Sequence, residues 1–256
     1  MNLVPANPFD LSGTRAIVTG STRGIGRAIA EGLIAQGARV VISSEDQADT
    51  AAAAAELGQP GLACNVADDT QLAALVAFAQ TELGGIDVLV CNAGITGKPG
   101  PFADIDLDDY ARVMAINLRS QVVLANLAFP CIAASGGGAA ILISSLAGLR
   151  GNGRINAYAL AKAGVAQLAR NLAVEWGAQA IRVNAISPGF IATELSAPLL
   201  ADAVFMERRM AATPLGRPGT PAEVAGAAVF LASSAGAFVT GHNLVVDGGT
   251  LISDGS

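Results

Sequence analysis

Strand-like and helix-like runs alternate along almost the whole of this chain, and that order restricts its fold more than any other feature. Residues 15–19, 39–43, 62–65, 87–92, 140–144, 182–186 and 243–247 are rich in β-branched or apolar residues and are predicted strands. Helices are predicted between them, over 24–36, 46–57, 70–83, 107–134, 155–177 and 221–233. Parallel neighbours need a crossover connection, so regular β-α alternation implies a parallel sheet with helices on both faces. The connections leave little room for a second unit, and a single domain over 1–256 is expected. Thr220-Pro221-Ala222-Glu223 is a strong helix start, with an N-cap Thr, Pro at the first helical position and Glu where a capping box needs it.

Hydrophobic residues make up 52% of the chain and charged residues only 14%, enough apolar material for a core and for a subunit interface. The helices predicted at 107–134 and 155–177 are apolar around most of their circumference. A helix covering a sheet needs one apolar stripe. The remaining faces, with Val122, Leu168 and Leu172, are expected to meet another subunit, which points to a homo-oligomer, a tetramer ahead of a dimer. A net charge of −6 leaves no basic surplus for nucleic acid. Cys64, Cys91 and Cys131 are odd in number and contain no C-x-x-C pair, and His242 is the only histidine. Neither a disulfide framework nor a metal site is expected, and a His-dependent hydrolase is disfavoured. No signal peptide is read in residues 1–11, and Arg112, Asn117 and Arg119 interrupt the most apolar helix. A soluble cytoplasmic protein without membrane partners is the expectation.

Directly after the first strand stands Thr19-Gly20-Ser21-Thr22-Arg23-Gly24-Ile25-Gly26, opening a helix. Small residues there let the backbone turn tightly and approach a pyrophosphate, which the free N–H groups of a helix N-terminus attract. A glycine-rich turn between strand and helix near the start of an alternating chain is the context of a Rossmann-type, doubly wound dinucleotide site. About seven strands are expected.

Tyr158 and Lys162 lie four residues apart on a predicted helix and so share a face, with Ser145 upstream. A phenol titrates near 10, too high for a base at neutral pH. A nearby cation favours the phenolate, and a fall of roughly three units corresponds to about 4 kcal/mol. The trio therefore reads as a Tyr general acid/base with a hydroxyl to hold the reacting oxygen.

Together these motifs resemble the short-chain dehydrogenase/reductase family, in its branch of about 250 residues, over essentially the whole chain. Thr19-Gly-x-x-x-Gly-x-Gly26 is similar to its cofactor turn, and Asn92-Ala93-Gly94 to its strand-four motif, with Cys91 in place of the usual preceding Asn. Pro188-Gly189-Phe190-Ile191-Ala192-Thr193 resembles the nicotinamide-side loop, and Asp247-Gly248-Gly249 the end of the last strand. Asn117 falls where the family places a fourth catalytic residue. The resemblance implies reversible hydride transfer between a nicotinamide and a secondary alcohol or ketone. Tyr158 would act as acid/base, Ser145 would hold the substrate oxygen, and Lys162 would lower the Tyr158 pKa and hold the nicotinamide ribose. Asn117 would anchor a water on a proton path. Ser144 adjoins Ser145 but points the other way if the strand persists, so Ser145 is assigned with Ser144 as the alternative.

The resemblance also assigns cofactor contacts to Gly20, Thr22, Arg23, Gly24, Ile25, Gly26, Asn65, Val66, Asn92, Ala93, Gly94, Pro188, Gly189, Ile191 and Thr193. The end of strand two, Ser44-Glu45-Asp46, sets the preference. Carboxylates there repel a 2′-phosphate, while Glu45 can accept bonds from ribose hydroxyls. Arg23 pulls the other way. NAD(H) is favoured, with NADP(H) the alternative; Glu45 as a solvated charge is the plain reading. Asn65 replaces a frequent Asp, keeping an oxygen for the adenine amino group.

Trp176 and His242 are read as structural. The segment from about 190 to 215, carrying Leu195, Leu199, Leu200, Phe205, Met206 and Met210, is long and lacks strand pattern, as a substrate lid does. Its apolar face suggests a small alcohol or ketone that is partly hydrophobic, and residues 95–102 are expected to form the opposite wall. Two competing readings stand beside this one: a non-catalytic dinucleotide-binding regulator, and an NADPH-dependent 3-oxoacyl-type ketoreductase.

Overall fold

The computed structural model describes residues 7–253. Most of the N-terminal segment read for a signal peptide, residues 1–6, lies outside the described residues. The strands are β1 (Arg15–Thr19), β2 (Arg39–Ser43), β3 (Val88–Cys91), β4 (Gly138–Ile143), β5 (Ile181–Pro188) and β6 (Asn243–Val246). They form one parallel sheet in the order β2-β1-β3-β4-β5-β6. The helices are α1 (Gly24–Ala35), α2 (Gln47–Leu57), α3 (Asp69–Leu83), α4 (Leu107–Met114), α5 (Ser120–Ala134), α6 (Asn156–Trp176), α7 (Ala197–Leu200), α8 (Ala203–Ala211) and α9 (Pro221–Ala232).

Strand residues point alternately to the two faces, which fills two cores. Ala16 and Val18 face α1 and α9, while Ile17 between them faces the side of α3, α5 and α6. On α6, Val165, Ala169, Leu172 and Trp176 recur at helical spacing and are all buried. Leu172, expected on an outer face, therefore belongs to this chain's own core at 6% exposure. Val122 on α5 and Val174 on α6 remain exposed.

Two expectations about elements are corrected. Residues 62–65 do not form a seventh strand, and the sheet has six. The segment runs beside β2, with Leu62 N donating to the Ile42 carbonyl at 3.0 Å and Cys64 N to that of Ser44 at 2.8 Å. It is cut short by Pro60-Gly61 before it and by a turn at Asn65, whose Oδ1 accepts from Ala67 N at 3.0 Å after it. The helix expected over 107–134 is continuous but carries a π-helical stretch at Ala115–Arg119, between α4 and α5. By length and composition this is a helix apolar enough to cross a membrane; here Leu124, Ala125, Ala128 and Ile132 are buried against the sheet and α3. Every crossover brings the chain back so that the carboxyl ends of β1, β3, β4 and β5 open on one edge, where a doubly wound sheet places its site.

Candidate active site

The glycine turn leaves β1 and enters α1 with Gly20 at φ 63° and Gly24 at φ 58°, a left-handed backbone that favours glycine. At Gly26 a Cβ would overlap the Gly20 carbonyl and the Asn92 carboxamide, so the cradle exists only because that position is bare. Helices α2, α3, α4 and α8 each start with an aspartate that accepts hydrogen bonds from the first turn. α1 does not: its N-cap is Arg23, which makes no side-chain cap. Its first N–H groups and the positive end of its dipole are left for an anion. Thr22 and Ile25 flank this end half-buried and Arg23 stands exposed. The cradle fits a dinucleotide pyrophosphate.

Asn92, expected among the cofactor contacts, braces the turn from the end of β3. Its Nδ2 donates to the carbonyls of Thr19 at 2.9 Å and Gly20 at 3.0 Å. Thr19 completes the brace, its Oγ1 accepting from Asn92 N at 3.0 Å and Ala93 N at 3.2 Å. That role of Thr19 was not legible, because its partners lie far along the chain.

Ser145 leaves β4 with an extended backbone, its Oγ accepting from Ala147 N at 3.1 Å, and its hydroxyl favours the Tyr158 phenolate. Ser144 beside it is buried and donates instead to the Lys162 carbonyl at 2.7 Å, so the pleat separates the two hydroxyls as expected. Lys162 is 3% exposed. Its Nζ donates to the Ile143 carbonyl at 2.7 Å and lies 5.6 Å from the centre of the Tyr158 ring. Burial holds this ammonium down at about 8. Burial also pushes the Tyr158 phenol up, against the pull of Ser145. The expected fall in the Tyr158 pKa is therefore absent in the chain by itself, because desolvation of the phenolate outweighs the pull of Ser145.

Asn117 sits in the π-helical stretch, fully buried. Its Oδ1 accepts from Ile95 N at 2.9 Å and its Nδ2 donates to the Ile95 carbonyl at 2.7 Å. Its own carbonyl accepts from Gln121 Nε2 at 3.0 Å. The Asn117 side chain is thus a two-point clamp on the chain after Gly94. Gly94 must be bare too, since a Cβ there would stand 2.5 Å from Asn117 Oδ1 and 3.5 Å from Lys162 Nζ. A π-helical turn is the kind of local distortion that marks functional positions, and nothing in the residue pattern announces it.

On the adenine side, Ser44 is half-buried and Glu45 is exposed. Asp46 is the α2 cap, accepting from Asp49 N at 2.8 Å. Arg23 lies 3.6 Å from Asp49 and 4.0 Å from Glu194, between two carboxylates. Val66 is buried below, and the Asn65 oxygen already accepts from Ala67.

On the nicotinamide side, Pro188 ends β5, and at Gly189 a Cβ would stand 2.7 Å from Asp247 Cα. Ile191 is buried and bridges to Gly219. Thr193 forms a capping box with Ser196, and its methyl lies beside the bare Cα of Gly24, so the two loops close on one cleft. Beyond them, α7 and α8 form the segment expected as a lid, with Phe205 edge-on to Phe190 at 5.3 Å. The segment 95–102, expected as the opposite wall, ties into the loop before α6, with Gly100 N donating to the Arg154 carbonyl at 2.7 Å.

The remaining candidates are structural. Trp176 is buried against Phe129, with ring centres 4.7 Å apart. The backbone of His242 is held by Asn184, whose Oδ1 accepts from its N–H at 3.0 Å. Burial pushes the Cys91 thiol up to about 12 and the Cys64 thiol to about 11, which keeps both protonated.

The profile of the family described as Enoyl-(Acyl carrier protein) reductase matches residues 20–250. The cis-4-hydroxycyclohexanecarboxylate dehydrogenase of Sinomonas cyclohexanicum is 42% identical over 239 residues, 91% of this chain and 95% of the relative. The 2-dehydro-3-deoxy-D-gluconate 5-dehydrogenase of Formosa agariphila is 38% identical over 254 residues, 96% of both. A solved gluconate 5-dehydrogenase from Burkholderia cenocepacia, in complex with NADP and tartrate, superposes with a TM-score of 0.92 at 35% identity, covering 96% of this chain and 98% of that one.

Proposed function

The chain belongs to the short-chain dehydrogenase/reductase family, and we propose that Tyr158 moves the proton as a secondary alcohol and its ketone are interconverted. It is an NAD(P)-dependent oxidoreductase acting on CH–OH groups, like the relatives named above, and the non-catalytic regulator is set aside. The observation that carries the assignment is the buried Lys162 Nζ 5.6 Å from the centre of the Tyr158 ring, with the Ser145 hydroxyl favouring the phenolate.

Ser145 holds the substrate oxygen and stabilises charge that develops on it. Tyr158 takes the hydroxyl proton during oxidation and returns it during reduction. Lys162 supplies a buried positive charge behind the phenol, and the clamp of Asn117 on Ile95 fixes the chain beside that charge. A bound nicotinamide dinucleotide supplies the two-electron acceptor or donor. Gly20, Thr22, Gly24, Ile25 and Gly26 would hold its pyrophosphate. Ser44, Glu45, Asn65 and Val66 would hold its adenosine, and Ala93, Gly94, Pro188, Gly189, Ile191 and Thr193 its nicotinamide half. The exposed Glu45 and the acidic neighbours of Arg23 support NAD(H) over NADP(H). Phe190 and Phe205, both within the 190–215 segment read as a lid, support a substrate with an apolar part. Exposed Val122 and Val174 support a homo-oligomer, which light scattering of the purified protein would test.

The decisive test is Tyr158→Phe, assayed with a panel of alcohols and ketones by nicotinamide absorbance. Turnover should fall by about 10³-fold or more while cofactor binding is retained. Retained turnover would refute the role of Tyr158.

A further inference from the structure

Arg209, on α8, is set apart from the other buried or paired arginines by what it lacks. Arg15, Arg27, Arg112, Arg119 and Arg217 each pair with a carboxylate at 2.5–3.1 Å. Arg182 is more deeply buried, but its guanidinium donates to the carbonyls of Leu231 and Gly236 at 2.6 and 2.9 Å. Arg209 packs over the Phe190 ring at 5.9 Å, and its Nε is shielded from solvent with no hydrogen-bond partner. Among the described residues it forms no ion pair, and neither does Arg150.

Arg150 is within electrostatic reach: its charge discourages protonation of Arg209, after burial itself. The two come from different parts of the chain, Arg150 on the loop that follows Ser145 and Arg209 on the segment that follows Gly189. Asp247 is also within electrostatic reach, but its oxygens accept from Gly249 N at 2.8 Å and Leu251 N at 2.6 Å. In a chain of net charge −6, two guanidinium groups without an ion pair among the described residues thus lie within electrostatic reach of one another, one of them packed over Phe190. A half-buried guanidinium whose Nε has no acceptor, with a second cation in reach, is an environment that an arriving anion would relieve.

We propose that Arg209 and Arg150 together bind a carboxylate on the substrate, so that the enzyme acts on a hydroxy acid and its oxo acid. The planar fork matches a carboxylate, and the Phe190 ring beneath Arg209 leaves an apolar surface for the carbon skeleton between the acid and the carbinol. The arrangement selects a molecule with its carboxylate at the lid and its secondary hydroxyl at Ser145 and Tyr158. This inference rests on the catalytic reading above.

The test uses the full-length protein with NAD(H) and NADP(H), and matched probes. D-gluconate is compared with D-glucitol, cis-4-hydroxycyclohexanecarboxylate with cis-4-methylcyclohexanol, and glycerol 3-phosphate serves as a phosphate arm. The wild type should favour an acid over its neutral partner, and Arg209→Gln or Arg150→Gln should lower that ratio of kcat/KM by about 10- to 100-fold, chiefly through KM. Arg209→Lys should restore part of it, and calorimetric binding of the favoured acid should weaken in parallel. Arg150 is exposed, so its variant guards against loss of folding at Arg209. Equal handling of acids and neutral alcohols, a preference for the phosphate, or no binding or turnover of either acid overturns the proposal. Tyr158→Phe separates the two readings: it tests catalysis on every probe, whereas the arginine variants test only the acid preference.

Discussion

The Ser144 hydroxyl donates to the main-chain carbonyl of Lys162 at 2.7 Å, while the Lys162 ammonium donates back to the carbonyl of Ile143, also at 2.7 Å. Strand β4 and helix α6 are therefore stapled at the point where Tyr158 and Ser145 meet. The staple separates two adjacent serines by role. Ser145→Ala should lower kcat by about 10²- to 10³-fold with the melting temperature little changed. Ser144→Ala should cost about 1 kcal/mol of stability, because it removes a buried hydrogen bond to a carbonyl left with only its intrahelical donor, and affect kcat far less. Kinetics and thermal melts of the two variants, run side by side, decide; reversed effects would exchange the assignments.

Burial of Lys162 has a signature in stability against pH. Its ammonium is held at about 8 in the folded chain, against an ordinary value of 10.5. Between these values the unfolded chain binds the proton more readily, so stability contributed by this group rises with pH from about 8 upward, by at most on the order of 3 kcal/mol. The penalty is fully present below that range and relieved above it. Tyr158 works oppositely beyond its ordinary value, where the unfolded phenol ionises first. Denaturant melts of wild type and Lys162→Met from neutral to alkaline pH should show the rise in the wild type alone.

Gly26→Ala is expected to be far more damaging than an ordinary helix substitution, because its methyl would overlap the Gly20 carbonyl and the Asn92 carboxamide. Gly58→Ala has open space around it and only the φ of 61° to contend with, for about 1 kcal/mol. Cofactor titration should show weakened binding in the first variant and unchanged affinity in the second.

At Glu45, reversal of charge should move the cofactor preference. Glu45→Arg places a cation beside the half-buried Ser44 while Arg23 stays between Asp49 and Glu194. The kcat/KM ratio of NADPH to NADH should rise by about 10-fold or more, as one charge-assisted contact to a phosphate is gained. A wild type already working far better with NADPH would refute the role given to Glu45.

Much of the fold was open to reading because it rests on short-range physics. The β-α alternation, the aspartate and threonine caps, and the spacing that puts Tyr158 and Lys162 on one face depend on neighbours a few residues away. The glycine turn was legible for the same reason, since its tight backbone needs bare positions in a fixed order. Sequence by itself thus determined the parallel sheet, the cradle and the acid/base candidate. It misjudged the edge segment at 62–65 and the outer place of Leu172, where helix rotation and strand length are set by packing. Only the tertiary structure decided that Ser145 meets Tyr158 while Ser144 staples Lys162, and that Asn117 clamps Ile95 from a π-helical turn. It alone brought Arg150 within electrostatic reach of Arg209. These contacts join residues that chain order keeps apart, and they arise from how whole elements dock, so no local pattern can encode them.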